Sequence, residues 1–255
     1  LDLADAAACR ALVEQHKPDW LINAGAYTAV DKAESEPELA RAVNAGAPAA
    51  FAEALQATGG HLLQVSTDFV FNGAQGSPYR PDQPVDPLGV YGATKAAGET
   101  AAAAALTAPQ LCILRTSWVY GPVGKNFLLT MLRLLREREQ LGVVADQVGC
   151  PTATQGLAQA CWAVLEHGVS GLHHWCDAGA ASWYDFAVAI AELGQVAGLL
   201  ENPARINPIT TADYPTPAQR PSYSLLECSG TRQALQLPPL HWREALRQVI
   251  ADVLA

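Results

Sequence analysis

The chain has 255 residues, half of them hydrophobic, and a formal net charge of −9 at pH 7. That length buries a full core and lies between one large domain and two small ones. The acidic balance, with no basic stripe, argues against a nucleic-acid partner. No apolar run is long enough to cross a bilayer and no leader-like segment opens the sequence, so no membrane partner is expected. The six cysteines (Cys9, Cys112, Cys150, Cys161, Cys176 and Cys228) show no Cys-x-x-Cys and no metal-ligand spacing. They read as reduced thiols, several of them in the core, of a cytoplasmic protein. The sequence opens at Leu1 and its one methionine is Met131, so it reads as a piece lacking its own N-terminus.

Apolar runs bounded by turn signals alternate with helical periodicity, which predicts parallel strands joined by helical crossovers. A helix over 3–16, with Asp5 near its start and Lys17-Pro18 at its end, leads to a short strand at 20–23. Residues 31–57 read as mostly helical and close at Gly59-Gly60. A strand at 62–66, a helix over 88–105 and a strand at 111–115 follow. Next come a helix over 126–139, a short strand at 141–144, a helix over 152–167 and a strand at 171–176. Beyond Asp177 the rhythm changes: helices at 183–192 and 242–254 bracket a proline-rich, irregular region over 202–221. The expected fold is a Rossmann-like, doubly wound parallel α/β sheet over 1–178, lacking its first strands, with a substrate-contacting insert around 118–140. A smaller C-terminal substrate lobe would span 179–255.

An open parallel sheet places its ligand outside the carboxyl ends of its strands. Three such ends carry unusual residues: Asn23-Ala24-Gly25-Ala26-Tyr27-Thr28, Ser66-Thr67-Asp68 and Arg115-Thr116-Ser117-Trp118. Tyr91 and Lys95 lie at i and i+4, on one helix face. A phenol is a poor acid at neutral pH, and a neighbouring ammonium is expected to lower its pKa. Thr67 adds a second donor for the same oxygen. Such a set can polarise and protonate a carbonyl while a hydride reaches its carbon, which requires a reduced nicotinamide. Alone, a Tyr-x-x-x-Lys pair fits a solvated helix face equally well; the strand ends tip the balance. His173 and His174 are adjacent on a predicted strand and point to opposite faces, so they are assigned to structure and no metal is expected. Trp183-Tyr184-Asp185-Phe186 opens a helix and reads as packing.

Ser66-Thr67-Asp68-Phe69-Val70-Phe71-Asn72-Gly73, Tyr91-Gly92-Ala93-Thr94-Lys95 and Arg115-Thr116-Ser117-Trp118-Val119-Tyr120-Gly121 strongly resemble dTDP-4-dehydrorhamnose reductases, extended short-chain dehydrogenase/reductases. The resemblance continues through Thr28-Ala29-Val30-Asp31-Lys32-Ala33-Glu34, Asp146-Gln147-Val148-Gly149-Cys150-Pro151-Thr152 and Arg220-Pro221 with Ser224. It covers essentially the whole chain. It implies reduction of a 4-keto nucleotide sugar by NADPH or NADH, with Tyr91 as proton donor to the sugar O4. Lys95 would hold the nicotinamide ribose and tune Tyr91, and Thr67 would orient the keto group. Asp2, Leu3, Ala26, Tyr27 and Thr28 would line the cofactor. Asp68 would contact substrate, with a loop-capping carboxylate as the other reading. Trp118 would pack on the sugar or serve as an ordinary core tryptophan. Asn126 and Arg220 would hold the nucleotide sugar, although a lone arginine is more often a surface ion pair. A homodimer is consistent with the resemblance.

The family's opening strand and glycine-rich turn, whose amides cradle the cofactor pyrophosphate, have no counterpart here. The chain alone is therefore expected to bind cofactor poorly and to be marginally stable. Two rival readings stand beside the reductase: another nucleotide-sugar reductase or epimerase on the same scaffold, and a non-catalytic subunit like the regulatory subunit of methionine adenosyltransferase.

Overall fold

The computed structural model describes residues 1–254. Helix α1 (Ala6–His16) is capped by the Asp5 side chain, which accepts from Ala8 N, and stops at Lys17 in the left-handed region. Strand β1 (Trp20–Asn23) follows. The stretch over 31–57, expected to be mostly helical, is divided into α2 (Val30–Ala33), α3 (Pro37–Arg41), a π-turn at Ala42–Gly46 and α4 (Ala47–Thr58). Pro37 starts α3 and Pro48 lies in the first turn of α4. Pro48 has no N–H to give the Asn44 carbonyl four residues back, which accounts for the widened turn. Gly59 ends α4 at φ +85°, a conformation that favours glycine.

Strand β2 (His61–Thr67), α5 (Val90–Ala105), β3 (Leu111–Thr116), β4 (Val119–Tyr120) and α6 (Phe127–Glu137) come next. They are followed by β5 (Gln140–Val144), β6 (Val148–Gly149), β7 (Thr152–Ala153), α7 (Thr154–His167), β8 (Gly171–His174), β9 (Ala181–Ser182) and α8 (Trp183–Val196). The region expected to be irregular holds a real strand, β10 (Arg205–Ile209), and the chain ends through α9 (Ser229–Leu235) and α10 (Trp242–Leu254). β10 pairs in parallel with β5 over five residues. Pro208 is tolerated there because the sheet has only two strands and one side of each is free.

The main sheet is parallel throughout, in the order β1-β2-β3-β8. Alternation along its strands sends side chains to two separate cores. Leu62 and Ile113 pack under α1, α4 and α5, with Cys9, Phe51 and Leu55. Leu63, Cys112 and Leu114 pack under α7 and α9, with Val164 and Leu235. Both faces are thus covered, as a parallel sheet requires. A third core joins α6, α8 and α10 to the loop after β2 through Phe71, Tyr120, Leu128, Phe186 and Trp242. All six cysteines are buried free thiols. Among the described residues, no helix is long and apolar enough to cross a membrane.

Candidate active site

The register brings the strand ends to one rim. Asn23 stands beside Gln64, Thr67 beside Thr116, and Arg115 beside His174. The Asn23 amide donates to Gln64 Oε1 at 2.8 Å. The loops after β1, β2 and β3 therefore leave from the same edge, as the sequence predicts.

Helix α5 carries the Tyr/Lys pair to that edge, and backbone contacts set its position. Glu34 accepts from Val90 N at 2.9 Å, placing a carboxylate on the helix N-terminus where orphan amides and the dipole favour it. Gly92 packs so closely on the Phe69 carbonyl oxygen that a Cβ there would collide with it. Gly98 does the same against the Asn44 carbonyl of the π-turn. The Asn44 side chain, buried, accepts from Tyr27 N at 2.8 Å and donates to Tyr27 O at 3.2 Å and Thr94 Oγ1 at 3.1 Å. One amide thus ties the loop after β1 to the catalytic helix candidate. Asn44 does not stand out in the sequence; its one signal is a polar residue in an alanine-rich run, four residues before a proline.

Thr67 Oγ1 donates to Asp68 Oδ1 at 3.1 Å and accepts from Phe69 N at 3.2 Å. The Tyr91 ring stands edge-on to Phe69 at 5.6 Å. Asp68 is buried and its Oδ2 has no hydrogen-bond partner. Burial pushes its pKa up to about 6, against the pull of the neighbouring Ser224 and Thr67 hydroxyls. The expected lowering of the Tyr91 pKa is overturned: burial pushes it up to about 12, Thr67 offsets part of this, and the Asp68 charge adds to it. The reason is geometric. Lys95 Nζ is turned to the Val65 carbonyl oxygen at 2.7 Å, and burial lowers its own pKa to about 8 while Glu99 holds it up. Tyr91 is a proton-loaded phenol at neutral pH.

The remaining candidates fall into two groups. Asp2 caps the first turn through Ala4 N, and Leu3 covers Gly25 at the end of β1. Ala26 and Tyr27 are half-buried and Thr28 is exposed on the same loop. The Tyr27 hydroxyl donates to Glu36 Oε2 at 2.6 Å. Trp118 sits at φ +46° and stacks on Trp183 at 3.7 Å, so the tryptophan read as packing forms half of an aromatic platform beside the rim. Gly149 leaves room for it, since a Cβ there would press on the Trp118 ring and on Ser224. Asn126 spends its side chain as the N-cap of α6, accepting from Leu129 N and donating to Gly121 O and Val123 O. Arg220 grips Asp31 with two nitrogens, at 3.0 and 2.8 Å, and also bonds Thr216. Asn126 and Arg220 are thus engaged within the protein. His173 meets Thr231 and Ser170 O, and buried His174 meets Tyr79 O.

The residues at the rim fit a nicotinamide nucleotide. An ammonium has three donors, and Val65 O is the acceptor recorded for Lys95 among the described residues, which leaves donors for a ribose diol. A parallel sheet covered on both faces, with a threonine, a tyrosine and a lysine at the carboxyl ends of its strands, defines a nucleotide-dependent oxidoreductase of the short-chain class. Comparison with known proteins carries this further. The family described as "RmlD substrate binding domain" matches residues 1–255, and the chain belongs to that family. It is 40% identical to a dTDP-4-dehydrorhamnose reductase of Aggregatibacter actinomycetemcomitans over 98% of this chain and 87% of that one. It is 41% identical to a probable dTDP-4,6-dihydroxy-2-methyloxan-3-one 4-ketoreductase of Streptomyces antibioticus, over 100% of this chain and 85% of that one. The structure of a dTDP-4-dehydrorhamnose reductase from Bacillus anthracis in complex with NADP superimposes with a TM-score of 0.90 at 32% identity, covering 99% of this chain and 87% of that one.

Proposed function

We propose that this chain catalyses reduction of dTDP-4-dehydro-L-rhamnose to dTDP-L-rhamnose, with NADPH or NADH as reductant. The observation that carries the reading is the meeting of Thr67, Tyr91 and Lys95 at one rim in a chain that its family model matches from end to end. When bound, the reduced nicotinamide supplies the hydride. The protein's part is proton transfer and positioning. Thr67, anchored by Phe69 N, orients the keto oxygen by turning its one hydroxyl proton from Asp68 to that oxygen. Tyr91 keeps its proton until that oxygen becomes basic and then gives it to O4. Lys95 would hold the nicotinamide ribose and, turned toward the phenol, would stabilise the phenolate left behind.

Asp68, with a free Oδ2, is suited to a sugar hydroxyl, and the Trp118–Trp183 platform to a sugar ring face. Asp2, Leu3, Ala26, Tyr27 and Thr28 form the cofactor side, and Asn126 and Arg220 the nucleotide-sugar side. The division into a cofactor-binding part over 1–178, with its insert around 118–140, and a substrate lobe over 179–255 belongs to the same reading. So do a homodimer and a cytoplasmic location; the buried, unbridged thiols support the latter.

The Streptomyces antibioticus relative names a second 4-keto substrate. The Thr/Tyr/Lys set serves either sugar, so discrimination falls to the ring contacts. Replacing Tyr91→Phe in the full-length enzyme is expected to cut turnover by at least a thousandfold while leaving nucleotide-sugar binding within about threefold. Steady-state rates with both 4-keto sugars, alongside calorimetric binding, check this. Wild-type rates in the variant would refute the assignment.

A further inference from the structure

Two of the surface cavities differ in how their polar groups are used. In the one beside Phe71, about 260 Å³, the lining side chains satisfy one another: Gln75 with Gln83, Asn72 with Asp86, and Tyr79 with Asn72. The other, about 220 Å³, lies between the start of α7, the end of β8, α9 and the turn leading into α10. It belongs to the face of the main sheet opposite α5, and none of Thr67, Asp68, Tyr91 or Lys95 lines it.

In this second cavity the polar groups are left over. Trp175 is 6% exposed, and its buried Nε1–H has no acceptor. Asp177, 5% exposed, accepts from Ala153 N through Oδ2 at 3.1 Å, and among the described residues its Oδ1 has no partner. Both free atoms face Gly156 on α7: a Cβ there would stand 3.4 Å from Asp177 Oδ1 and 4.0 Å from Trp175 Nε1. Arg232, half-buried on α9, donates through Nη2 to the carbonyls of Cys176 and Asp177 at 3.1 and 3.3 Å. Its Nε and Nη1 meet no acceptor among the described residues, and the exposed amides of Gln155, Gln159 and Gln248 are unpaired in the same sense. The rest of the wall is apolar, with Leu237, Pro238 and Leu240.

Buried polar groups are nearly always bonded, so an orphan N–H at a cavity wall points to a bound partner. Opposite charges gain by pairing, yet Asp177 and Arg232, both lining this cavity, form no ion pair with each other. A ligand bearing both charges satisfies both groups at once, with an ammonium for the carboxylate and a carboxylate for the guanidinium and the indole N–H. An apolar cavity of about 150 Å³ takes benzene, so this one suits a molecule of about six to ten heavy atoms. We propose that the cavity binds a small zwitterion of the α-amino-acid class, its ammonium on Asp177, its carboxylate on Arg232 and its side chain against Leu237 and Pro238. Such an occupant touches no residue given a part in the reduction, so the site stands apart from that reading.

Indole N–H signals of 15N-labelled full-length protein report its tryptophans one by one in NMR spectra, and Trp175→Phe assigns the signal at the cavity. L-leucine, L-glutamine and L-proline are titrated in turn, and at least one is expected to move that signal saturably at millimolar concentration. The N-acetyl derivative of that amino acid lacks the ammonium and its methyl ester lacks the carboxylate. Each is expected to bind the unsubstituted protein at least tenfold more weakly. Asp177→Asn and Arg232→Gln should each weaken the amino acid at least tenfold as well. The two derivatives need no variant, so the test stands even if a substituted protein does not fold. A Trp175 signal unmoved by all three amino acids overturns the proposal. So does a smaller loss with either derivative or in either folded variant, or a response to D-glucose as strong as that to the amino acid.

Discussion

Replacing Asp68→Asn should stabilise this protein at neutral pH while damaging it as an enzyme. Burial raises the Asp68 pKa from 3.8 to about 6, so the folded state binds its proton more tightly than the unfolded chain does. The resulting penalty is absent below about pH 4, grows between pH 4 and 6, and is complete above that range. A shift of about two units corresponds to roughly 3 kcal/mol. Asparagine cannot ionise, and its amide oxygen can still accept from Thr67, as Oδ1 does now at 3.1 Å. Its amide N–H groups replace an oxygen that already lacks a partner, so part of the gain is lost to an unpaired donor and about 1–3 kcal/mol should remain. For a chain of this size that is a rise in Tm of several degrees. Thermal melts of both proteins at pH 7.5 and pH 4 test it: the variant should melt higher at pH 7.5, and the difference should vanish at pH 4. The same variant should show a KM for the nucleotide sugar raised at least tenfold. A variant less stable than the parent at pH 7.5, or one whose difference does not change with pH, would refute the reasoning.

Gly92→Ala places a Cβ against the Phe69 carbonyl and should cost about 1–3 kcal/mol, as overpacking does. A chemical-denaturation midpoint measures this, with at least a tenfold loss of kcat as the helix shifts. Trp183→Ala removes the support on which Trp118 stacks, a contact worth about 0.5–1.5 kcal/mol beyond its area. Steady-state kinetics should show a KM for the nucleotide sugar raised severalfold and a kcat within about threefold of the parent.

The rim was legible in the sequence because strand ends and helix starts announce themselves. Thr67, Asp68 and Trp118 stand where apolar runs stop, and Tyr91 and Lys95 where a helix begins. The parallel sheet followed from the alternation of runs such as Leu62-Leu63 with helical stretches. What escaped was set by partners distant in sequence. β10 was hidden because Pro208 and its neighbours read as loop, and only pairing with β5, some sixty residues earlier, makes a strand of them. The π-turn depends on a single missing N–H at Pro48. The direction of the Tyr91 pKa was misjudged because i, i+4 spacing gives adjacency but not the orientation of a flexible ammonium, which turns to Val65 O. Arg220 lies in a family-like motif and Asn126 opens a predicted helix, yet their partners, Asp31 and Leu129 N, appear only in three dimensions.

The two glycines of α5 act like keys cut in a shaft. Six residues apart on a helix is about 9 Å along the axis and about 120° around it. Phe69 O and Asn44 O therefore stop both sliding and rotation of α5. A slip of one residue would turn Tyr91 and Lys95 by about 100° and carry them off the rim. At these two positions bearing and travel are set by main chain meeting main chain, so no side-chain repacking elsewhere on the helix can make room for a Cβ there.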